Sequence, residues 1–160
     1  MVNGIGQRAW PRWLIVGGLV AGTLDILYAT VFSFLRSGVT PARVLRYVAS
    51  GALGSEALQG GAGTAALGLA FHFLIAFLAT AVFFAAAANV PKLVEKPVLT
   101  GALYGIVVYI VMNYVVVPLS RIGPRPTPPA IVWVSGVLVH MFLIGVPIAL
   151  AARRGFVPRA

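Results

Sequence analysis

Apolar residues fall in four long blocks, at 13–35, 65–88, 98–118 and 130–151, separated by shorter polar, glycine-rich or proline-rich stretches. A helix needs about 20 such residues to cross the hydrocarbon layer. Inside lipid every backbone N–H and C=O must find an internal partner, so each block is predicted to be a spanning helix. Arg8 and Arg12 precede the first block as they would precede a secretory leader. Its apolar run is too long for a leader and no small-residue cleavage site follows, so a retained first span is expected.

The segment between the first two blocks has a different pattern. Thr40 suits an N-cap and Pro41 the first helical position. Val44, Leu45, Val48 and Ala52 then share one side, with Arg43, Arg46 and Ser50 opposite. A helix over about 41–59 lying in the membrane interface fits this pattern, and the interruptions at Gly51 and Gly54 leave a partly re-entrant loop as the competing form. Gly60, Gly61 and Gly63 form a flexible turn into the second span, while residues 120–129, with four prolines, are expected to be extended and wet. The predicted fold is an all-α, four-transmembrane-helix bundle with one interfacial or re-entrant helix, a single membrane domain over residues 1–160.

Composition agrees with this pattern. Hydrophobic residues make up 60% of the 160-residue chain and charged residues 9%, against about 25% charged in soluble domains. A soluble enzyme is excluded on that ground, since a core of this size cannot hide so much apolar surface. Twelve Lys and Arg against three Asp and Glu give a net charge of +9, but the basic residues are scattered between apolar blocks. Nucleic acid is therefore not an expected partner, and the lipid bilayer is. The absence of cysteine excludes disulfides, thiolate metal sites and cysteine nucleophiles.

Seven Lys and Arg (Arg8, Arg12, Lys92, Lys96, Arg153, Arg154, Arg159) share one side of the membrane and five (Arg36, Arg43, Arg46, Arg121, Arg125) the other. That bias places both termini in the cytoplasm. Trp10, Trp13 and Trp133 sit near span ends, where indoles anchor at the headgroup level.

The spans contain few polar groups. Asp25, His72 and His140 are the ionisable residues of Asp, Glu, Lys, Arg and His type within them, joined by the amide of Asn113. Such residues usually face the interior of a bundle. Asp25 lies on the Gly18–Gly22 side of the first span. His72 shares a stripe with Ala65, Gly68, Ala76 and Ala79, and His140 follows Gly136 by one turn. Small residues mark faces where helices approach closely, so the four groups are expected to point at one another. With 1.5 Å of rise per residue, Asp25 and His140 come near the midplane, and His72 and Asn113 about 7 Å toward the outer side.

This buried polar layer permits three chemistries. It can be a hydrogen-bonded network that fixes helix register. It can relay protons, as Asp–His chains do in transporters. It can hold iron or zinc through two His and one Asp, although no compact ligand motif is present. Glu56 falls near the apolar side of the 41–59 helix, either paired with Arg43 or Arg46 or dipping toward His72. Gly101 and Gly105 form a further helix-packing pair, and Pro118 is expected to stop or kink the third span. With Gly18–Gly22, that pair could pack between copies in a homo-oligomer or against another membrane protein. No nucleotide loop, nucleophile elbow or glutamate pair is present, so no catalytic residue and no cofactor are expected.

His72 at the head of His-Phe-Leu-Ile-Ala-Phe, the Val90-Pro91-Lys92 exit, the Gly101–Gly105 pair, Pro118-Leu119 and the late His140 resemble the YagU-like bacterial inner-membrane proteins. The likeness covers residues 17–154. Hypothetical membrane proteins with the Ala49-Ser50-Gly51 and Met112-Asn113-Tyr114 runs look closer still. The first outer loop departs from the YagU pattern, lacking its proline-rich turn. The resemblance implies four spans in a bacterial inner membrane, and it brings no catalytic residue. The polar layer itself leads to a structural or accessory membrane protein as the first reading, with a small transporter or proton-coupled channel using the Asp/His layer and a membrane metalloenzyme as the alternatives.

Overall fold

The computed structural model describes residues 10–156. Arg8 and Arg159, which contribute to the charge bias, lie outside them. Four helices are long and apolar enough to cross a membrane: α1 (Trp10–Ser37), α3 (Ala62–Asn89), α4 (Pro97–Leu119) and α5 (Ala130–Phe156). A shorter helix, α2 (Pro41–Leu53), joins α1 to α3. The four-helix, all-α architecture is the one the apolar blocks require, and no strand occurs among the described residues. α1 and α3 run one to three residues past their apolar blocks at each end, α4 by one residue at each end, and α5 by five residues at its C-terminal end.

α2 is shorter than its pattern suggests. Gly54 has φ +85°, a left-handed conformation that ends the helix, and the chain continues as a separate tight turn over Ser55–Gln59. Pro41 starts the helix as expected. The Thr40 hydroxyl, however, makes no capping bond; its carbonyl accepts from the Arg43 and Val44 N–H groups instead. α2 lies directly on α3. Gly68 stands where any Cβ would run into the Leu45 carbonyl, and Ala49 and Ser50 are buried at the same crossing.

α4 and α5 each contain one wide, π-helical turn, at Met112–Val116 and His140–Gly145. Pro118 and Pro147 follow these turns. A proline lacks the N–H for the carbonyl four residues back and its ring collides with that group, so widening the preceding turn relieves both problems. Pro118 therefore perturbs the third span by widening the turn before it, and the helix ends at Leu119.

The end of the bundle that carries both chain termini is tightly packed. Phe83, Phe84 and Ala87 of α3 meet Ile148, Ala149 and Ala152 of α5 in one apolar cluster. Tyr104 of α4 donates its hydroxyl to the Ala79 carbonyl of α3 at 2.6 Å, and Trp13 sits between the guanidinium groups of Arg12 and Arg154, 5.9 and 5.2 Å from its ring. α4 and α5 approach backbone to backbone. Gly101 faces Gly145, and Gly105 faces the His140–Met141 backbone, with no room for a side chain. On α1, Gly18 and Gly22 receive the rings of Phe77 and Phe73 from α3. The glycine pairs expected to join copies of the chain are thus filled within it.

The opposite end is looser. The 120–129 segment is extended and largely exposed, as its prolines demand, but it is tied to α2 by the Arg121 N–H, which donates to the Gly51 carbonyl at 2.9 Å.

Gly105→Leu is expected to destabilise the protein by about 1–3 kcal/mol or more, since the new side chain meets backbone that no rotamer change can move. Gly63→Ala, in open space at the start of α3, is expected to be neutral or stabilising by up to about 1 kcal/mol. Thermal unfolding in detergent reads both. Unchanged stability in Gly105→Leu would refute the close α4–α5 contact.

Candidate functional site

The four polar residues of the spans divide into two groups. Asp25 of α1 and His72 of α3 face each other, with Oδ2 and Nδ1 4.0 Å apart. His72 Nε2 lies 2.8 Å from the Gly22 carbonyl, and because a carbonyl only accepts, that nitrogen carries the proton and donates. In the neutral ring the other nitrogen then turns a lone pair toward a carboxylate, two acceptors in opposition. At 4.0 Å the two groups are within reach of each other's charge but beyond hydrogen-bond distance. His140 of α5 is arranged similarly: its Nδ1 donates to the Gly136 carbonyl at 2.9 Å, which assigns the proton to that nitrogen and leaves Nε2 as the free acceptor.

Asn113 belongs elsewhere. It sits in the wide turn of α4, donates to the Tyr109 carbonyl at 3.0 Å, and accepts from Arg125 at 3.0 Å through Oδ1. Arg125 also donates to the Tyr47 hydroxyl of α2 at 3.1 Å. The single layer expected from the sequence is therefore an Asp25–His72 contact between α1 and α3 and a separate polar wall on α4. His140 lies between them and its ring meets that of Tyr109 edge to face, centroids 5.2 Å apart.

That wall bounds a cavity of about 590 Å³ between α1, α4 and α5, at the end of the bundle that carries the 120–129 segment. Arg125 and Asn113 stand toward the loops, Tyr109 and His140 deeper, and Tyr28 on the α1 side. The two wide turns supply both Asn113 and His140. A π-helical turn displaces side chains relative to a regular helix, which is why such turns recur at functional sites. Tyr28 adds one anomaly: its hydroxyl is buried without any hydrogen-bond partner, alone in this among the side-chain polar atoms of the described residues.

Glu56 takes neither of the positions expected for it. It is exposed on the turn after Gly54, out of the α2 projection, because the helix has already ended. Arg46 donates instead to the carbonyls of Gly60 and Ala42, at 2.6 and 3.3 Å. The Asp25–His72 contact is the only ion pair within 4.0 Å among the described residues. No three His, Cys, Asp or Glu side chains among the described residues are grouped so as to hold a metal ion. Of the helix-packing glycines, Gly18, Gly22, Gly68, Gly101, Gly105 and Gly136 all lie at close contacts, Gly136 against the Tyr109 ring. Sequence reasoning passed over Tyr28, Tyr109 and Arg125. The available signals were a tyrosine one turn from each of Asp25 and Asn113, and a cation held among prolines at a span end.

Fold and site together define a multi-pass, all-α membrane protein with a mostly apolar cavity at one end, into which a few polar side chains are set. Scans against protein-family models and searches of curated proteins and solved structures return no match to this chain.

Arg125→Ala is expected to release the 120–129 segment from α2 and α4, so its backbone amides exchange with deuterium faster while those of α3 are unchanged. Global stability should fall by no more than about 1 kcal/mol, as for exposed polar contacts. Equal exchange in the two proteins would show that Arg125 does not hold the segment.

Proposed function

We propose that this protein is a small membrane transporter of the bacterial inner membrane, with its cavity as the solute vestibule and Asp25, His72 and His140 as the groups that handle a coupling proton. The observation that carries this reading is the cavity itself, which runs from Arg125 at the loops to His140 on α5. A transport site needs an opening on one side and a closed opposite side, and the tightly packed end supplies the latter. The Lys and Arg bias puts both termini in the cytoplasm, which turns the vestibule outward. The resemblance to the YagU-like proteins agrees with that location.

A second reading is favoured by one contact. The bond from His72 to the Gly22 carbonyl fixes α1 on α3 without any ligand, as a structural or accessory membrane protein would need.

The cysteine-free chain allows a direct separation. Asn113→Cys and Val132→Cys, both at the cavity wall, are expected to react with a membrane-impermeant thiol reagent, whereas Ala149→Cys in the packed cluster is not. In vesicles carrying an imposed pH gradient, the wild-type protein should speed its decay and Asp25→Asn should return it to the protein-free rate. A labelled cavity with no Asp25-dependent proton movement would remove the proton role. A folded protein that labels at neither cavity position would leave the structural reading in its place.

A further inference from the structure

The cavity has one formally charged wall residue, Arg125, and no acidic one. Both partners of its guanidinium are neutral, the Tyr47 hydroxyl and the Asn113 amide oxygen, so its charge is not offset locally. At Tyr28 and Phe32 the cavity shares its wall with a second, almost wholly apolar groove of about 460 Å³ on the lipid-facing side of α1 and α5. Leu24, Leu27, Val31 and Leu35 line the groove along α1, and Leu143 closes it from α5. From Leu24 to Leu35 the helix rises about 16 Å. That is close to half of the roughly 30 Å hydrocarbon layer, the depth of one leaflet. Tyr28 and Phe32 line both spaces.

We infer that the ligand is an anionic membrane lipid, its phosphate held by Arg125 in the cavity and one acyl chain lying in the Leu24–Leu143 groove. Charge complementarity selects the head, since a guanidinium with neutral neighbours is a ready phosphate partner. The apolar groove selects the chain. A lipid would enter sideways from its own leaflet, because the groove faces the bilayer. The inference rests on the reading of the cavity as a binding site and names its substrate class.

The test uses the full-length protein in nonionic detergent, titrated with phosphatidylglycerol or phosphatidylcholine of the same chains and read by native mass spectrometry. Phosphatidylglycerol is expected to bind about tenfold better, the scale of one charge-assisted hydrogen bond. Arg125→Gln should remove that preference and Arg125→Lys retain most of it. Leu143→Trp, which fills the groove, should weaken both lipids, and Arg36→Gln, outside both spaces, should change nothing. Circular dichroism and elution position establish that each variant is folded. Equal binding of the two lipids, an Arg125→Gln protein that keeps the preference, or an equal loss in Arg36→Gln would overturn the inference. So would displacement of phosphatidylglycerol by glycerol phosphate at concentrations no higher than those of a short-chain lipid, because the head alone would then suffice. A cavity that labels with thiol reagent yet shows no lipid preference refutes this inference and leaves the transport reading intact. A cavity that does not label refutes that reading first.

Discussion

The rest of the structure depends on the contact of two helix backbones. Gly101 and Gly105 of α4 meet Gly145 and the His140–Met141 backbone of α5 with no side chain between them. In lipid, where burying apolar surface between helices gains nothing over the acyl chains, such close approach is what holds helices together. It also sets a fulcrum. Toward the termini the helices stay close and enclose the phenylalanine and isoleucine cluster. Toward the loops, beyond the wide turns at Met112–Val116 and His140–Gly145, they leave the cavity between them.

The same geometry assigns the polar groups their partners. Where α1 and α3 are pressed together through Gly22, His72 has one carbonyl and one carboxylate within reach. Where the helices part, Asn113 and Arg125 bond to each other and to α2, at the edge of a space large enough for a ligand. His140 stands at the boundary, with one nitrogen committed to its own helix and its ring against Tyr109. The loop end is held by few contacts of modest strength, which suits a region that must admit something.

Much of the outline was legible along the chain. Four apolar blocks and an amphipathic stretch starting at Pro41 are local signals, because in a bilayer the backbone must satisfy its own hydrogen bonds and length alone then dictates the helix. The small-residue faces around Gly18, Gly68, Gly101 and Gly136 were legible for a related reason: a missing side chain on a spanning helix has few uses other than close approach. The end of α2 was not. A pattern of side chains continues smoothly through Gly54, and only the backbone angle there shows the helix stopping.

The sequence by itself determined how many helices cross the membrane, where they begin and which residues are too polar to face lipid. It could not determine which of those polar residues meet, because rotation, tilt and spacing of helices depend on contacts between segments far apart in the chain. Asn113 and Asp25 both face inward, yet the wide turn in α4 and the reach of Arg125 carry Asn113 to a different neighbourhood. Tyr28 and Leu143 acquire meaning only as opposite walls of one groove. A cavity is a property of what the helices fail to fill. It exists only once their packing is settled in three dimensions.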